Sequence, residues 1–263
     1  STTWDKILLF GDSITQFSFD QERGFGFSAG LQHEYIRRLD VVNRGFSGYT
    51  SRQALKILPH VIPSPSAARI RLLVVFFGAN DSSVPEAENR QHVPLDEYLS
   101  NLEAIISHPS VTAHNPKIVL IAPAPIDEHL VWANDAAQGR TVISRKNAVL
   151  KEYSEAVVAL GGRLGVPVVD LWKAFMAKTG WTEENWKQGE PLVGSLDVEQ
   201  NQELVRLMHD GLHFNAAGYQ VLFGEFLKVV RENIAELAPE NLPLLLPVWN
   251  DAKAWEEWDA AQK

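Results

Sequence analysis

Four short stretches of this sequence carry side chains suited to acyl transfer. Gly11-Asp12-Ser13 presents a hydroxyl just after an apolar run. Gly48 lies in the glycine-punctuated turn RGFSGYTS, and Asn80 in Gly78-Ala79-Asn80-Asp81. Asp210 stands three residues before His213 in Asp210-Gly211-Leu212-His213. Together they supply each role that attack on an ester carbonyl needs. Ser13 is the candidate nucleophile, and His213 the base that takes its proton and later hands it to the leaving alcohol. Asp210 is the candidate for holding the imidazole tautomer and stabilising the imidazolium. The oxyanion would meet the N–H of Ser13, the N–H of Gly48 and the side-chain amide of Asn80. Glycine at 48 lets the backbone approach a substrate closely, and the Asn80 amide donates without adding charge.

Each stretch alone has a plainer reading. Asp-Ser before a helix is a common cap, Asn-Asp a common turn, and a histidine beside a helix start is usually structural. Spacing argues against other chemistries. Asp12, Asp81 and His213 would be the ligands of a metal hydrolase, yet no second histidine sits at ligand spacing. His33-Glu34 likewise lacks the second histidine of a zinc protease. The glycines at 24, 26 and 30 are wrongly spaced for a dinucleotide fingerprint and follow no strand. Gly45-Phe46-Ser47-Gly48 is followed by Tyr49, which fails the G-x-S-x-G elbow.

These residues need a scaffold to bring them together. Residues 6–10, KILLF, form a short apolar run bounded by Gly11, the pattern of a strand buried on both faces of a parallel sheet. Further strands are predicted at 40–43, 71–77, 117–122 and 166–170. Helices are predicted at 28–39, with Leu31, Tyr35 and Leu39 on one face, at 52–58, closed by Pro59, and at 95–107. Two more are expected at 141–160, ended by Gly161-Gly162, and at 216–237. The alternation predicts an α/β protein. The expected architecture is a three-layer α/β/α sandwich around a five-stranded parallel, flavodoxin-like sheet in the order 2-1-3-4-5. Ser13, Gly48 and Asn80 then follow the carboxyl ends of strands one, two and three, the edge where open α/β sheets place ligands. Phe17 and Phe19 are candidates to line a pocket beside the serine. Residues 179–205, with Trp181, Trp186 and Pro191, are a candidate cap or acyl-pocket wall. Residues 239–263, with Trp249, Trp255 and Trp258, read as a C-terminal extension of a single domain spanning 1–263, packed on the body or on a second subunit.

Composition narrows the partners. The formal net charge of −9 argues against a nonspecific nucleic-acid binder and against anionic membrane surfaces, and fits a neutral small-molecule substrate. With no cysteine, disulfides and thiolate metal sites are excluded. No stretch reaches transmembrane length, and residues 1–6 do not begin like a signal peptide, so a cytosolic location is expected. Asn80-Asp81-Ser82 is the single N-x-S/T sequon.

The ordered set Ser13, Gly48, Asn80 and Asp210 with His213 resembles the four blocks of the SGNH hydrolases, also called GDSL esterases. RGFSGYTSRQALKILP, FFGANDSS, HVPLDEYLSNL, DGLHFNAAGY and the tail PENLPLLLPVWNDA are similar to the isoamyl acetate-hydrolysing esterase branch of that family. The resemblance is thin at about 131–140 and at 179–205, where substrate preference could differ. It implies the SGNH hydrolase fold and hydrolysis of short acyl esters, acetates above all, without cofactor or metal, and it suggests a homodimer. The alternatives within the fold are longer acyl chains, sugar acetates or thioesters. From another class, the alternative is a noncatalytic binding module.

Overall fold

The apolar runs form five strands: β1 (Lys6–Gly11), β2 (Asp40–Gly45), β3 (Ile70–Phe76), β4 (Lys117–Ile121) and β5 (Val168–Val169). In the computed structural model, which describes residues 4–262, they pair in parallel in the expected order β2-β1-β3-β4-β5. Residues 1–3 and Lys263, the ends of the expected domain, lie outside the described residues. Phe10 of β1 is flanked by Arg44 of β2 and Val75 of β3, so the loops leaving these three strands emerge side by side.

Helices cover both faces. They are α1 (Ser13–Gln16), α2 (Phe27–Glu34), α3 (Ser51–Val61), α4 (Leu95–Ser107), α5 (Pro109–Thr112) and α6 (Glu128–Ala137). They continue with α7 (Asn147–Leu164), α8 (Leu171–Lys178), α9 (Gln202–Leu207), α10 (Ala216–Asn233) and α11 (Ala252–Ala261). Ile7 and Leu9 of β1 and Leu72 and Val74 of β3 pack with Leu31, Phe175 and Phe226 from α2, α8 and α10. Leu8, Phe10, Leu73 and Val75 pack on the other face with Leu58, Leu102 and Leu160 from α3, α4 and α7. Both faces of the central strands are therefore apolar, which is why they read as unbroken runs rather than as alternation.

Element ends differ from the sequence reading in instructive ways. Pro59 does not close α3; it sits in its last turn, where the helix runs two residues further. Proline there gives up only its own N–H, and the Ile62 N–H still reaches Leu58 O. Gly161 and Gly162 lie inside α7. The helix stops at Gly165, whose φ of +64° supplies the left-handed cap. Gly161 serves packing instead, since a Cβ there would stand 2.1 Å from Val168 Cγ2. Residues 141–146 are not helical: they bend through a loop, with an isolated antiparallel bridge from Arg145 to Ser83. α2 ends at Glu34, and residues 35–38 form a turn with Arg37 at φ +62°. α5, α6, α8, α9 and α11 were not expected. α6 buries only Glu128, Val131 and Asp135, too few apolar positions to show a helical stripe.

The tail is tied to the turn after α2. Arg37 donates to Leu246 O and Pro247 O, Arg38 to Leu242 O, and the Leu245 N–H to Arg37 O. Beyond this strap α11 buries no residue, and Trp249 is 88% exposed.

Candidate active site

β1 ends at Gly11, and Asp12 caps the helix that follows, its Oδ1 accepting the Ile14 N–H at 2.9 Å. The capping reading of Asp12 therefore holds, and the same turn places Ser13 as the first residue of α1. An N–H at that position has no intrahelical acceptor and is free to serve a ligand.

His213 reaches Ser13 from the far end of the chain. The loop before α10 folds back on itself, pairing Met208 with Phe214 and donating the His209 N–H to His213 O at 2.7 Å. Asn215 caps α10, and Tyr219 on its first turn donates to Ile14 O at 2.7 Å, locking this helix to α1. The result puts His213 Nε2 2.9 Å from Ser13 Oγ and His213 Nδ1 2.7 Å from Asp210 Oδ2. Burial alone would raise the Asp210 carboxyl. The hydrogen bond and charge of His213, with the N–H groups of His213 and Leu212, outweigh it and hold Asp210 well below the usual carboxylate range. An imidazole so held can accept the hydroxyl proton at Nε2 while its Nδ1–H stays on the carboxylate.

Gly48 follows β2 with φ +79°, a conformation that favours glycine. The Ser47 N–H donates to Gln16 Oε1 at 2.8 Å, and Gln91 Nε2 donates to Gly48 O at 2.9 Å, so the turn is held from both sides. Asn80 follows β3 and is 3% exposed. Its Nδ2 donates to Tyr49 O at 2.9 Å, which uses one of its two hydrogens. Ser13, Gly48, Asn80, Asp210 and His213 all border one cavity of about 320 Å³.

Phe17 packs edge-on against the His213 ring, with centroids 5.5 Å apart. Phe19 is exposed, and neither phenylalanine lines the cavity, because the chain tightens into a 3₁₀ turn at Phe17–Phe19 where Arg23 covers the Phe17 ring. Residues 179–205 do not form its wall either. Trp181 and Leu192 pack in a cluster with Val131 and Trp172, and this stretch borders a separate cavity of about 670 Å³. The wall of the Ser13 cavity comes instead from α6 and the residues after it, with Val131, Asn134, Gln138 and Arg140. Asp12 and Asp81 each spend one oxygen on a backbone N–H, of Ile14 and Ser51. Among the described residues no group of three or more His, Asp or Glu side chains could hold a metal ion.

Two contributors escaped the sequence reading. Arg145, 6% exposed, donates from Nε to Ala79 O at 2.6 Å and from Nη2 to Asn80 Oδ1 at 2.8 Å. Gln91 accepts from the same Nη2 at 3.0 Å. Burial draws the Arg145 guanidinium down to about 10, so it keeps its charge at neutral pH. An arginine and a glutamine in polar stretches give no signal that separates them from solvated neighbours.

Comparison with known proteins identifies the family. Residues 9–221 match the GDSL-like Lipase/Acylhydrolase family. The chain is 34% identical to the isoamyl acetate-hydrolyzing esterase 1 homolog of Homo sapiens, over 94% of this chain and 88% of that one. It is 32% identical to the isoamyl acetate-hydrolyzing esterase of Saccharomyces cerevisiae, over 94% and 95% of the two chains. The fold is shared with a lipase/acylhydrolase from Enterococcus faecalis (TM-score 0.60, 22% identity, 92% of this chain and 100% of that one). It is also shared with Axe2, an acetylxylan esterase from Geobacillus stearothermophilus (TM-score 0.59, 20% identity, 88% and 95%). A family match over most of the length, on a sheet that gathers those residues at one edge, means that the chain belongs to the GDSL-like lipase/acylhydrolase family and is a carboxylic ester hydrolase.

Proposed function

We propose that this chain hydrolyses short-chain esters, acetates above all, through an acyl-enzyme on Ser13. Ser13 Oγ attacks the carbonyl carbon as His213 Nε2 takes its proton. Asp210 holds the ring and stabilises the imidazolium. The negative oxygen of the tetrahedral intermediate is met by the N–H groups of Ser13 and Gly48 and by the Asn80 amide. Collapse expels the alcohol, which leaves with the proton from His213. Water, deprotonated by the same ring, then attacks the acyl-enzyme and releases the acid. These steps call for no cofactor.

The observation that carries this reading is the 2.9 Å contact between Ser13 Oγ and His213 Nε2, joining residues 200 positions apart. The two isoamyl acetate-hydrolyzing relatives support the acetate preference. Ser13→Ala tests it. Turnover of p-nitrophenyl acetate should vanish with the thermal melt unchanged, and acid quenching of the parent during turnover should yield an acetylated peptide containing Ser13. Retained activity or an acetyl group elsewhere would refute the nucleophile.

A second reading, esters of hydroxylated alcohols such as sugar acetates, is favoured by the cavity lining. Asn89, Gln91, Asn134, Gln138 and Arg140 border it, against Val131 and Leu212 as its branched apolar residues. Residues 1–263 are read as one domain, since the proposed site takes residues from 13 to 213. A homodimer is supported by α11, none of whose residues is fully buried in its own chain, and by the exposed Trp249 before it. A cytosolic location is kept as part of this reading, and it agrees with the sequon, whose Asn80 is buried beside Ser13 where no glycan could sit.

A further inference from the structure

We infer that Arg145, steadied by Gln91, is a positioning residue that fixes the Asn80 amide as an oxyanion donor. The inference rests on the nucleophile reading above.

An asparagine amide can be turned over without changing its shape, exchanging donor for acceptor. At Asn80 only one orientation is satisfied. Arg145 Nη2 donates to Oδ1 at 2.8 Å, and Nδ2 donates to Tyr49 O at 2.9 Å. Flipping the amide would set its NH₂ against the guanidinium and its oxygen against a carbonyl. The unflipped amide keeps its second hydrogen for the cavity. A charged donor on the amide oxygen also draws electrons from the nitrogen and strengthens its N–H bonds as donors.

Among the described residues, every side-chain hydrogen bond that Arg145 makes goes to a neutral oxygen: Ala79 O, Asn80 Oδ1, Gln91 Oε1 and Ser144 Oγ. Burying a guanidinium without a bonded carboxylate is costly, and a neutral side chain would fill the space without that cost. Gln91 extends the arrangement to the second donor, since its Nε2 holds Gly48 O at 2.9 Å. The bridge from Arg145 to Ser83, with the Val84 N–H on Ser144 O at 2.9 Å, delivers the arginine to this place.

The test is a double-mutant cycle on kcat and KM for p-nitrophenyl acetate. Arg145→Met should lower kcat by about tenfold or more with KM within about twofold, since the oxyanion forms only after binding. In the Asn80→Ala background the same substitution should cost less than about twofold, because its effect runs through the missing amide. Arg145→Lys, which keeps the charge and loses the fork, should recover part of kcat. Equal losses in both backgrounds, a loss expressed in KM, or an unchanged kcat would overturn the inference. If Arg145→Met fails to fold, Arg145→Lys in the two backgrounds separates the same outcomes. A Ser13→Ala protein that keeps turning over overturns the nucleophile reading. Loss of activity in that protein, alongside additive Arg145 and Asn80 effects, overturns this inference alone.

Discussion

Asp210 holds His213 at two points, with Oδ2 2.7 Å from the ring Nδ1 and Oδ1 2.8 Å from the His213 backbone N–H. One carboxylate thus fixes both the loop and the tautomer. Asp210→Asn separates the two effects. The new side chain keeps an oxygen for the backbone but offers an NH₂ wherever it replaces Oδ2. The ring then presents a bare Nδ1 to that donor and carries its proton on Nε2, where it can no longer accept from Ser13. Turnover should fall by roughly 10²- to 10⁴-fold while the thermal midpoint stays within a few degrees. A loss under tenfold in steady-state assays would remove Asp210 from the mechanism.

Asn80→Ala removes a donor, and Asn80→Asp replaces it with an acceptor of nearly equal size. Asn80→Ala should lower kcat by about 10²- to 10³-fold, the usual cost of one oxyanion donor, and Asn80→Asp, whose negative charge also opposes the oxyanion, by at least as much. A loss in the aspartate variant no smaller than in the alanine variant would show that the donated hydrogen matters and the volume does not. A tenfold or smaller effect in kcat would mean that the amide points elsewhere.

The sheet and the polar set were legible for physical reasons. KILLF and RLLVVFF are apolar on both faces, and Ser13, Gly48 and Asn80 follow strands that the 2-1-3 order makes neighbours. What stayed hidden depends on packing. Gly161-Gly162 suggests a helix stop as readily as a close approach, and only the position of Val168 decides between them. Arg145 and Gln91 lie in polar stretches whose sequence is the same whether they face water or bury a hydrogen bond. The wall after Ile126 was missed because α6 buries too few apolar side chains to announce a helix.

Asp12 should make stability depend on pH. It is fully buried, and its Oδ2 has no hydrogen-bond partner among the described residues. Burial, aided by Asp81, pushes its carboxyl up to about 7 against the Ile14 N–H, His213 and Arg145. Between about pH 4 and 7 the folded protein keeps a proton that the unfolded chain has lost. Stability therefore falls as the pH rises through that window and levels off above it. Asp12→Asn removes this slope while keeping an acceptor for Ile14. In melts from pH 4 to 8 the variant should gain steadily on the parent, with the largest advantage at pH 8. Asp81, pushed up to about 6 by burial, adds a slope of its own in both proteins. Parallel curves would mean that Asp12 is charged when folded.

Substrate size is decided by rates across acetate, butyrate and octanoate esters of one alcohol. Each buried methylene is worth about 0.8 kcal/mol, roughly fourfold, wherever a pocket admits it. An acyl site with room would therefore favour the longer chains, and a fall beyond acetate means that bulk overrides that gain. The proposed acetate preference requires such a fall in kcat/KM. The alcohol side is tested separately, by isoamyl acetate against a monoacetylated sugar at equal acyl group. The amides and Arg140 around the cavity must lose water to an isoamyl chain without replacement, whereas sugar hydroxyls can restore those hydrogen bonds. Higher kcat/KM for the sugar acetate would select the hydroxylated-alcohol reading. Higher kcat/KM for isoamyl acetate would mean that the branched chain lies along Val131 and Leu212, with the polar side of the cavity left to solvent.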